Sequence, residues 1–314
     1  MTAADTDVVR RFVAEHQDVR GQFVRLGASW LGVREHGAYP PAVRELLGQA
    51  TCAAVLLAST LKFEGVLTLQ LQGDGPVRLL VAQCTDDFRV RAVARFDPER
   101  AAGGFRELAG DGSVTVTVES DRPGSRDPRS RYQGIVPLEG DTLAESLEQY
   151  FRGSEQVPTA VRLGAEDAGA TGMLVQRLPS VGGTAASDEA TAAAARGDEA
   201  RATFASAAAA LADIGADELL RRPGEELMQR CLVGVDLRVF EPRRVRFECR
   251  CSPERVAGML RGLGEAEVRD VLAEQGAVTV TCEFCHRPYR FDAVDAEQLF
   301  APAAVISPGS PRVN

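Results

Sequence analysis

At 314 residues with 45% of them hydrophobic, the chain is long enough for a main core plus a smaller second unit, so at least two domains are expected. A formal charge of -9 and a pI near 5.1 argue against a broad phosphate-binding face, because nucleic-acid affinity rests on Lys and Arg neutralising phosphates; no specific nucleic acid is expected as a partner. The N-terminal stretch carries Asp5, Asp7, Arg10, Arg11, Glu15 and Asp18 where a secretory signal is apolar, and the most apolar run, residues 52–58, is far below the roughly 18 residues that span a bilayer. A cytoplasmic protein with no membrane partner is expected, and in that reducing compartment seven cysteines point to metal binding or redox sensing instead of a disulfide framework.

From Val8 to about Pro179 the pattern mixes helix and strand, as in an α+β fold. A helix is expected from about Tyr39 to Lys62. Leu67, Leu69 and Leu71 alternate with Thr68, Gln70 and Gln72, the pattern of a half-buried strand. The turn residues Gly73, Asp74, Gly75 and Pro76 then lead into Val77, Leu79 and Val81, expected to point inward from the second strand of a hairpin. Val114, Val116 and Val118 mark another strand, with the polar residues 121–130 as its exposed loop. Asp141 is placed as the N-cap of a helix whose face is Leu143, Leu147, Tyr150 and Phe151 and whose end is Gly153; a closing strand is expected from Gly172 to Leu178.

After Pro179 the composition changes: of the 37 residues from Val181 to Asp217, 16 are Ala. Alanine favours helix, but a helix in water depends on burying an apolar face, and here that face is Phe204, Ala208 and Leu211. A linker of marginal order is expected, with a passive flexible tether as the plainer reading. Leu219, Leu220, Leu227, Met228 and Leu232 then form a more normally amphipathic segment.

Residues 245–251 read as a strand, which puts Cys249 and Cys251 on one face. Ser252 and Pro253 start a helix with Val256, Met259, Leu260 and Leu263 as its apolar face. A second helix follows, with Val268, Val271 and Leu272 inward and Gly276 at its end. Val278 and Val280 lead by a strand to Cys282 and Cys285, whose two-residue gap is a metal-knuckle turn, and Tyr289 to Phe291 returns from it. Four thiolates suit tetrahedral zinc, one ion per chain, and leave no open position for Lewis-acid catalysis. His286 adjoins the set but is read as lying beside it or in solvent, and Cys52, Cys84 and Cys231, among apolar neighbours, as packing residues. No catalytic residues stand out: Gly73 to Gly75 is better explained by a turn than by phosphate binding, and no enzyme is expected. The chain divides into an α/β core (1-180), a metastable helical Ala-rich linker (181-244), a small four-cysteine zinc domain (245-296) and a flexible tail (297-314).

The pattern of C-x-C, thirty intervening residues and C-x-x-C resembles the bacterial redox-regulated holdase chaperones, the thirty-three-kilodalton heat-shock protein family. Residues 61–76 (LKFEGVLTLQLQGDGP), 131–151 (RYQGIVPLEGDTLAESLEQYF), 154–159 (SEQVPT) and 172–176 (GMLVQ) look like its core segments. The resemblance implies that Cys249, Cys251, Cys282 and Cys285 bind zinc in a reduced, inactive state. It also implies that oxidation pairs Cys249 with Cys251 and Cys282 with Cys285, releases zinc and unfolds the linker. The exposed surface would then hold unfolding client proteins without ATP and promote a homodimer. The linker here departs from the family pattern, as do residues 121–130 and the tail after Pro302. Two other readings stay open: a constitutive zinc-stabilised RNA- or protein-binding module using the cluster Arg243, Arg244, Arg246 and Arg250, and an oxidoreductase using Cys282 and Cys285.

Overall fold

The structure, a computed structural model, describes residues 6–120, 131–179 and 187–301; the expected loop over 121–130 and the tail beyond 301 lie outside them. In chain order the elements begin β1 (Val8–Ala14), β2 (Val19–Leu26), α1 (Ala28–Arg34), α2 (Pro41–Thr60), β3 (Gly65–Gly73), β4 (Val77–Thr85) and β5 (Arg89–Phe96). Next come α3 (Phe105–Ala109), β6 (Gly112–Ser120), β7 (Arg131–Pro137), α4 (Leu143–Tyr150), β8 (Thr159–Ala165), β9 (Ala170–Arg177), α5 (Ser187–Ala212), α6 (Ala216–Arg221) and α7 (Gly224–Cys231). The chain then makes three short strands, β10 (Leu237–Val239), β11 (Arg243–Arg244) and β12 (Arg246–Phe247). It ends with α8 (Pro253–Leu263), α9 (Glu265–Gln275), β13 (Val278–Thr281), β14 (Pro288–Phe291) and α10 (Ala293–Phe300). The chain divides into two compact units, Met1–Glu248 and Cys249–Asn314.

Two sheets build the first unit, ordered β10-β1-β2-β9-β8 with β11 also on β1, and β12-β5-β4-β3-β6-β7. Helix α2 packs in a core shared by both, against Val24, Leu26 and Leu174 of the first sheet and Leu67, Leu69 and Leu71 of the second. Thirteen of its twenty residues are buried, so it is apolar nearly all round, as a helix between two layers must be. By length and composition α2 could cross a membrane, unlike the shorter apolar run within it, yet 72% of its apolar window is buried inside this unit.

Strand β3 points Leu67, Leu69 and Leu71 inward as expected. On β4 the expected inward set is wrong after Val77: an irregularity between Val77 and Leu79 shifts the register. Leu80, Ala82 and Cys84 face the core, and Leu79 and Val81 are only half-buried. Because strand side chains alternate, one extra residue moves every later one to the other face. The N-cap of α4 is Thr142, not Asp141: the Thr142 hydroxyl accepts from the Glu145 amide at 3.1 Å. The Glu145 carboxylate in turn accepts from the Asp141 amide at 2.6 Å. Gly153 does not stop this helix, which runs on as a π turn over Phe151–Glu155 and ends at Gln156 with a left-handed φ of 56°.

The Ala-rich segment is helical over Ser187–Ala212. In α5 the residues Gly197, Ala200, Ala207 and Leu211 are buried and Phe204 is half-buried; with Ile214 just beyond, they recur three and four apart as one stripe. Ala207, not Ala208, faces inward. The stripe packs with Leu219, Leu227, Met228 and Leu232 on Phe12, Val19, Phe23, Met173 and Val175, the face of the first sheet opposite α2. Its order therefore comes from the sheet: small side chains let the helix approach closely but bury little area each. Arg25 pins the same layer from below. Buried to 3% exposure, its guanidinium donates to the carbonyl oxygens of Leu219 at 3.0 Å and Arg222 at 2.6 Å, at the C-terminal end of α6 where positive charge is favoured.

Leu211→Ala should therefore loosen the covering layer. We expect a loss of about 2 to 5 kcal/mol, typical of a buried leucine truncation, read by hydrogen exchange as faster exchange in α5 and unchanged protection in β3 and β6. Equal loss of protection throughout the first unit would show that the layer is not a separable one.

Candidate metal centre

Among the described residues of the second unit, Leu260, Val268, Val278 and Ala296 form a small buried apolar cluster, ringed by half-buried Val256, Val271, Leu272, Val280, Phe291, Leu299 and Phe300. Helix α8 starts as expected, with the Ser252 hydroxyl accepting from the Arg255 amide at 3.3 Å and Pro253 in the first turn. Its expected apolar face is half wrong, since Met259 is 53% and Leu263 57% exposed while Leu260 carries the packing. Gly276 ends α9 with a left-handed φ of 72°. Strands β13 and β14 pair antiparallel, Val280 opposite Tyr289. Helix α10 carries the unit past residue 296, capped by Asp292 and held to α8 by a bond from Arg261 Nε to the Leu299 carbonyl at 3.1 Å.

The expected strand over 245–251 is shorter than its pattern: only Arg246 and Phe247 are in strand conformation, and Cys249 and Cys251 follow in an irregular segment. The two-residue knuckle forms as expected, closed by bonds from the His286 amide to the Cys282 carbonyl at 2.8 Å and from the Cys282 amide to the Arg287 carbonyl at 3.0 Å. His286 takes the left-handed position of this turn with φ 51°. Its ring is exposed and is not among the gathered donors.

All four sulfurs, of Cys249, Cys251, Cys282 and Cys285, lie within 4.8 Å of one another. The Cys249 and Cys282 sulfurs are 3.6 Å apart and those of Cys251 and Cys285 3.3 Å. A tetrahedron of sulfurs about 2.3 Å from a common centre has edges of about 3.8 Å, so the arrangement fits a four-coordinate thiophilic ion with all positions filled by protein. Tyr289, missed as a functional residue in the sequence, donates from its hydroxyl to the Cys251 sulfur at 3.0 Å. Burial raises the Cys251 thiol, but hydrogen bonds from Tyr289 and the other three cysteines outweigh it and bring it to about 7. Burial pushes Cys249 up and Cys285 up to about 12, so of these three thiols Cys251 loses its proton most readily. The only sequence signal for Tyr289 was its place on the returning strand.

Cys52, Cys84 and Cys231 are free and buried, as expected. Burial raises all three thiols, Cys231 to about 11, which keeps them in the unreactive protonated form. Gly73 to Gly75 cradles no phosphate, because its amides are already used: Asp74 N bonds the Asp111 carbonyl and Gly75 N the Ala109 carbonyl, each at 3.0 Å. Arg243, Arg244 and Arg246 are likewise engaged. Arg243 lies 4.3 Å over the Phe88 ring, Arg244 donates to the Thr6 carbonyl at 3.5 Å, and Arg246 pairs with Asp87 at 2.9 Å and Glu248 at 3.2 Å.

The sequence model of the family described as Hsp33 protein matches residues 7–292. A 33 kDa chaperonin of Methylobacillus flagellatus is 38% identical over 97% of this chain and 98% of its own. Another, of Nitrosococcus oceani, is 40% identical over 94% of each, and one of Azotobacter vinelandii is 39% identical over 98% and 99%. The crystal structure of the 33 kDa chaperonin of Thermotoga maritima superimposes with a TM-score of 0.77 at 22% identity, covering 93% of this chain and 97% of that one, a likeness of fold.

Tyr289→Phe should lower the affinity of the cluster for its ion by about ten- to a hundredfold, the usual effect of removing a group that orients a ligand. Competition with a chromophoric chelator measures it, and unchanged affinity would show that the hydroxyl does not act on the sulfur.

Proposed function

The chain belongs to the Hsp33 family of chaperones, and from that premise we propose that it is a redox-regulated, ATP-independent holdase of the cytoplasm, with no enzymatic activity. The observation that carries the reading is the closed set of four thiols in a unit whose apolar core is too small to stand alone. In the reduced state Cys249, Cys251, Cys282 and Cys285 hold one zinc ion, whose charge keeps the sulfurs as thiolates. Thiolates are the form that oxidants attack. Each pair, Cys249 with Cys251 and Cys282 with Cys285, gives two electrons to peroxide or hypochlorous acid; the S–S bond forms as the O–O or O–Cl bond breaks, and the oxidant takes protons from solvent and leaves as two waters, or as chloride and one water. The pairing follows the family resemblance and not these distances, since the sulfur contacts of 3.6 Å and 3.3 Å run crosswise between the two pairs.

Once joined, the sulfurs no longer serve as thiolate ligands. Structural zinc contributes roughly 10 to 16 kcal/mol in small domains, against a typical domain stability of about 5 to 15 kcal/mol, so the second unit unfolds with its loss. The linker (181-244) loosens next, having one narrow apolar stripe of its own. Its departure from the core (1-180) bares Phe12, Val19, Phe23, Met173 and Val175 of the first sheet, an apolar face for unfolding clients and for a homodimer. The division into core, linker, zinc domain and tail follows this sequence of events, with the expected zinc domain (245-296) taken from Cys249 to the end of α10 at Phe300 and the tail (297-314) shortened to match. The constitutive RNA- or protein-binding reading is the weaker one, because Arg243, Arg244 and Arg246, three of the four arginines it uses, already make contacts within the protein.

Zinc release and client light scattering, followed together during oxidation, test the reading. Reduced protein should carry one zinc per chain and suppress little aggregation; oxidised protein should release it and suppress aggregation without ATP. Equal suppression by both forms would sink the proposal. Cys282→Ser should lower zinc affinity severely, and tight stoichiometric zinc in that variant would show that the ligand set is wrong.

A further inference from the structure

The last segment before Cys249 is a strap along the edge of the first sheet. β10 pairs antiparallel with β1, Phe12 opposite Val239, Val13 opposite Arg238 and Ala14 opposite Leu237. β11 continues on the same edge, with Val8 opposite Arg244 and Val9 opposite Arg243. The ladder is closed by bonds from Glu15 N to the Asp236 carbonyl at 2.8 Å and from Phe240 N to the Arg11 carbonyl at 2.9 Å. The strap then crosses to the second sheet, where β12 lies parallel on β5.

Besides these backbone bonds, β10 and β11 are held by surface contacts: Arg243 lies over the Phe88 ring and donates to the Asp86 carbonyl at 3.0 Å, and Arg244 donates to the Thr6 carbonyl. Leu237 is half-buried against the second core, but Arg238, Val239, Arg243 and Arg244 are exposed. The ion pair from Arg238 to Glu15 spans 3.6 Å at the surface, where such pairs contribute little. Without the strap, β1 is the outer strand of its sheet, and every second residue along its seven offers an unpaired amide and carbonyl at that edge.

We infer that the outer edge of β1 is a docking site for client polypeptide, which adds to the first sheet as an antiparallel strand in the place that residues 236–240 hold at rest. The strap itself shows what the edge accepts: an extended segment, Asp236-Leu-Arg-Val-Phe240, held through its main chain, with one apolar side chain turned to the core. Main-chain pairing tolerates many sequences, which suits partners that share only an unfolded state. The edge adjoins the apolar face that the linker covers, since Phe12 belongs both to β1 and to that face. One segment can thus pair with the edge while its side chains reach the apolar surface. This inference rests on the proposed release of the linker and strap upon oxidation.

The probe is a fluorescent peptide of residues 236–244, compared with the same peptide N-methylated at the Arg238 and Phe240 amides, the two that face β1. Full-length protein is used, oxidised, reduced with zinc, and reduced as the double variant Arg238→Pro with Phe240→Pro, whose strap lacks those donors and undocks without oxidation. The oxidised protein and the reduced variant should bind the peptide, reduced wild type should not, and N-methylation should weaken binding by about tenfold or more, as expected for two lost hydrogen bonds. Equal binding of both peptides, or no binding by oxidised protein that has released its zinc, would overturn the inference while leaving the holdase reading intact. If wild type keeps its zinc under oxidant but the reduced variant binds the peptide selectively, the redox reading fails and the edge site stands. Cross-linking of β1 to β1 in oxidised dimers, with peptide excluded, would give the edge to a second copy and overturn the client assignment.

Discussion

Four sulfur atoms lie within 4.8 Å of one another in a C-terminal unit whose apolar core is small. Leu260, Val268, Val278 and Ala296 form its buried apolar cluster, while Met259 and Leu263, on the helix best placed to enlarge that core, face solvent. A single apolar core in a unit this small contributes only about 3 to 5 kcal/mol. A bound metal would therefore be a large share of its stability, as the proposed redox control requires. Tyr289 refines the point: the hydroxyl that bonds Cys251 is carried by the β-ribbon, so the ribbon and the sulfurs orient one another.

The linker layer has a related weakness for a different reason. Its helix α5 is rich in the best helix former but presents a stripe of Gly197, Ala200, Phe204, Ala207 and Leu211, in which only two side chains are large. The first sheet supplies the rest of the apolar surface, and Arg25 adds bonds to two α6 carbonyls. Order that comes from a neighbour is lost when the neighbour's contact is lost. Meanwhile Cys52, Cys84 and Cys231 stay buried and protonated, so thiolate chemistry is confined to the C-terminal cluster and the core is spared.

Much of this was legible before the structure. Cysteine spacing announced the cluster, because C-x-C and C-x-x-C each fix two sulfurs locally and the intervening helices only have to return the chain. The period of two in β3 and the Ser252-Pro253 helix start were equally local signals. What failed was set by non-local packing. The irregularity at the start of β4 reversed the inward set from Leu79 and Val81 to Leu80 and Ala82, and nothing in the alternation of that segment marks the slip. On α5, a near-uniform run of alanines has no periodicity of its own, so only the sheet could decide between Ala207 and Ala208. Tyr289 was visible as a strand residue but not as a donor to Cys251, a relation that exists only once the ribbon and the C-x-C segment meet.

The basic cluster before Cys249 shows how a composition signal changes meaning in three dimensions. As sequence, Arg243, Arg244 and Arg246 look like a phosphate-binding patch. In the fold each secures the strap to the first unit: Arg243 over Phe88, Arg244 to the Thr6 carbonyl, Arg246 to Asp87. These contacts are mostly exposed and individually weak, and Val245, 3% exposed between Arg244 and Arg246, is the one residue there that is anchored by burial. Weak attachment of this kind fits the proposed release: a strap buried as deeply as α2 would stay in place on oxidation, whereas exposed ion pairs and single hydrogen bonds cost little to break.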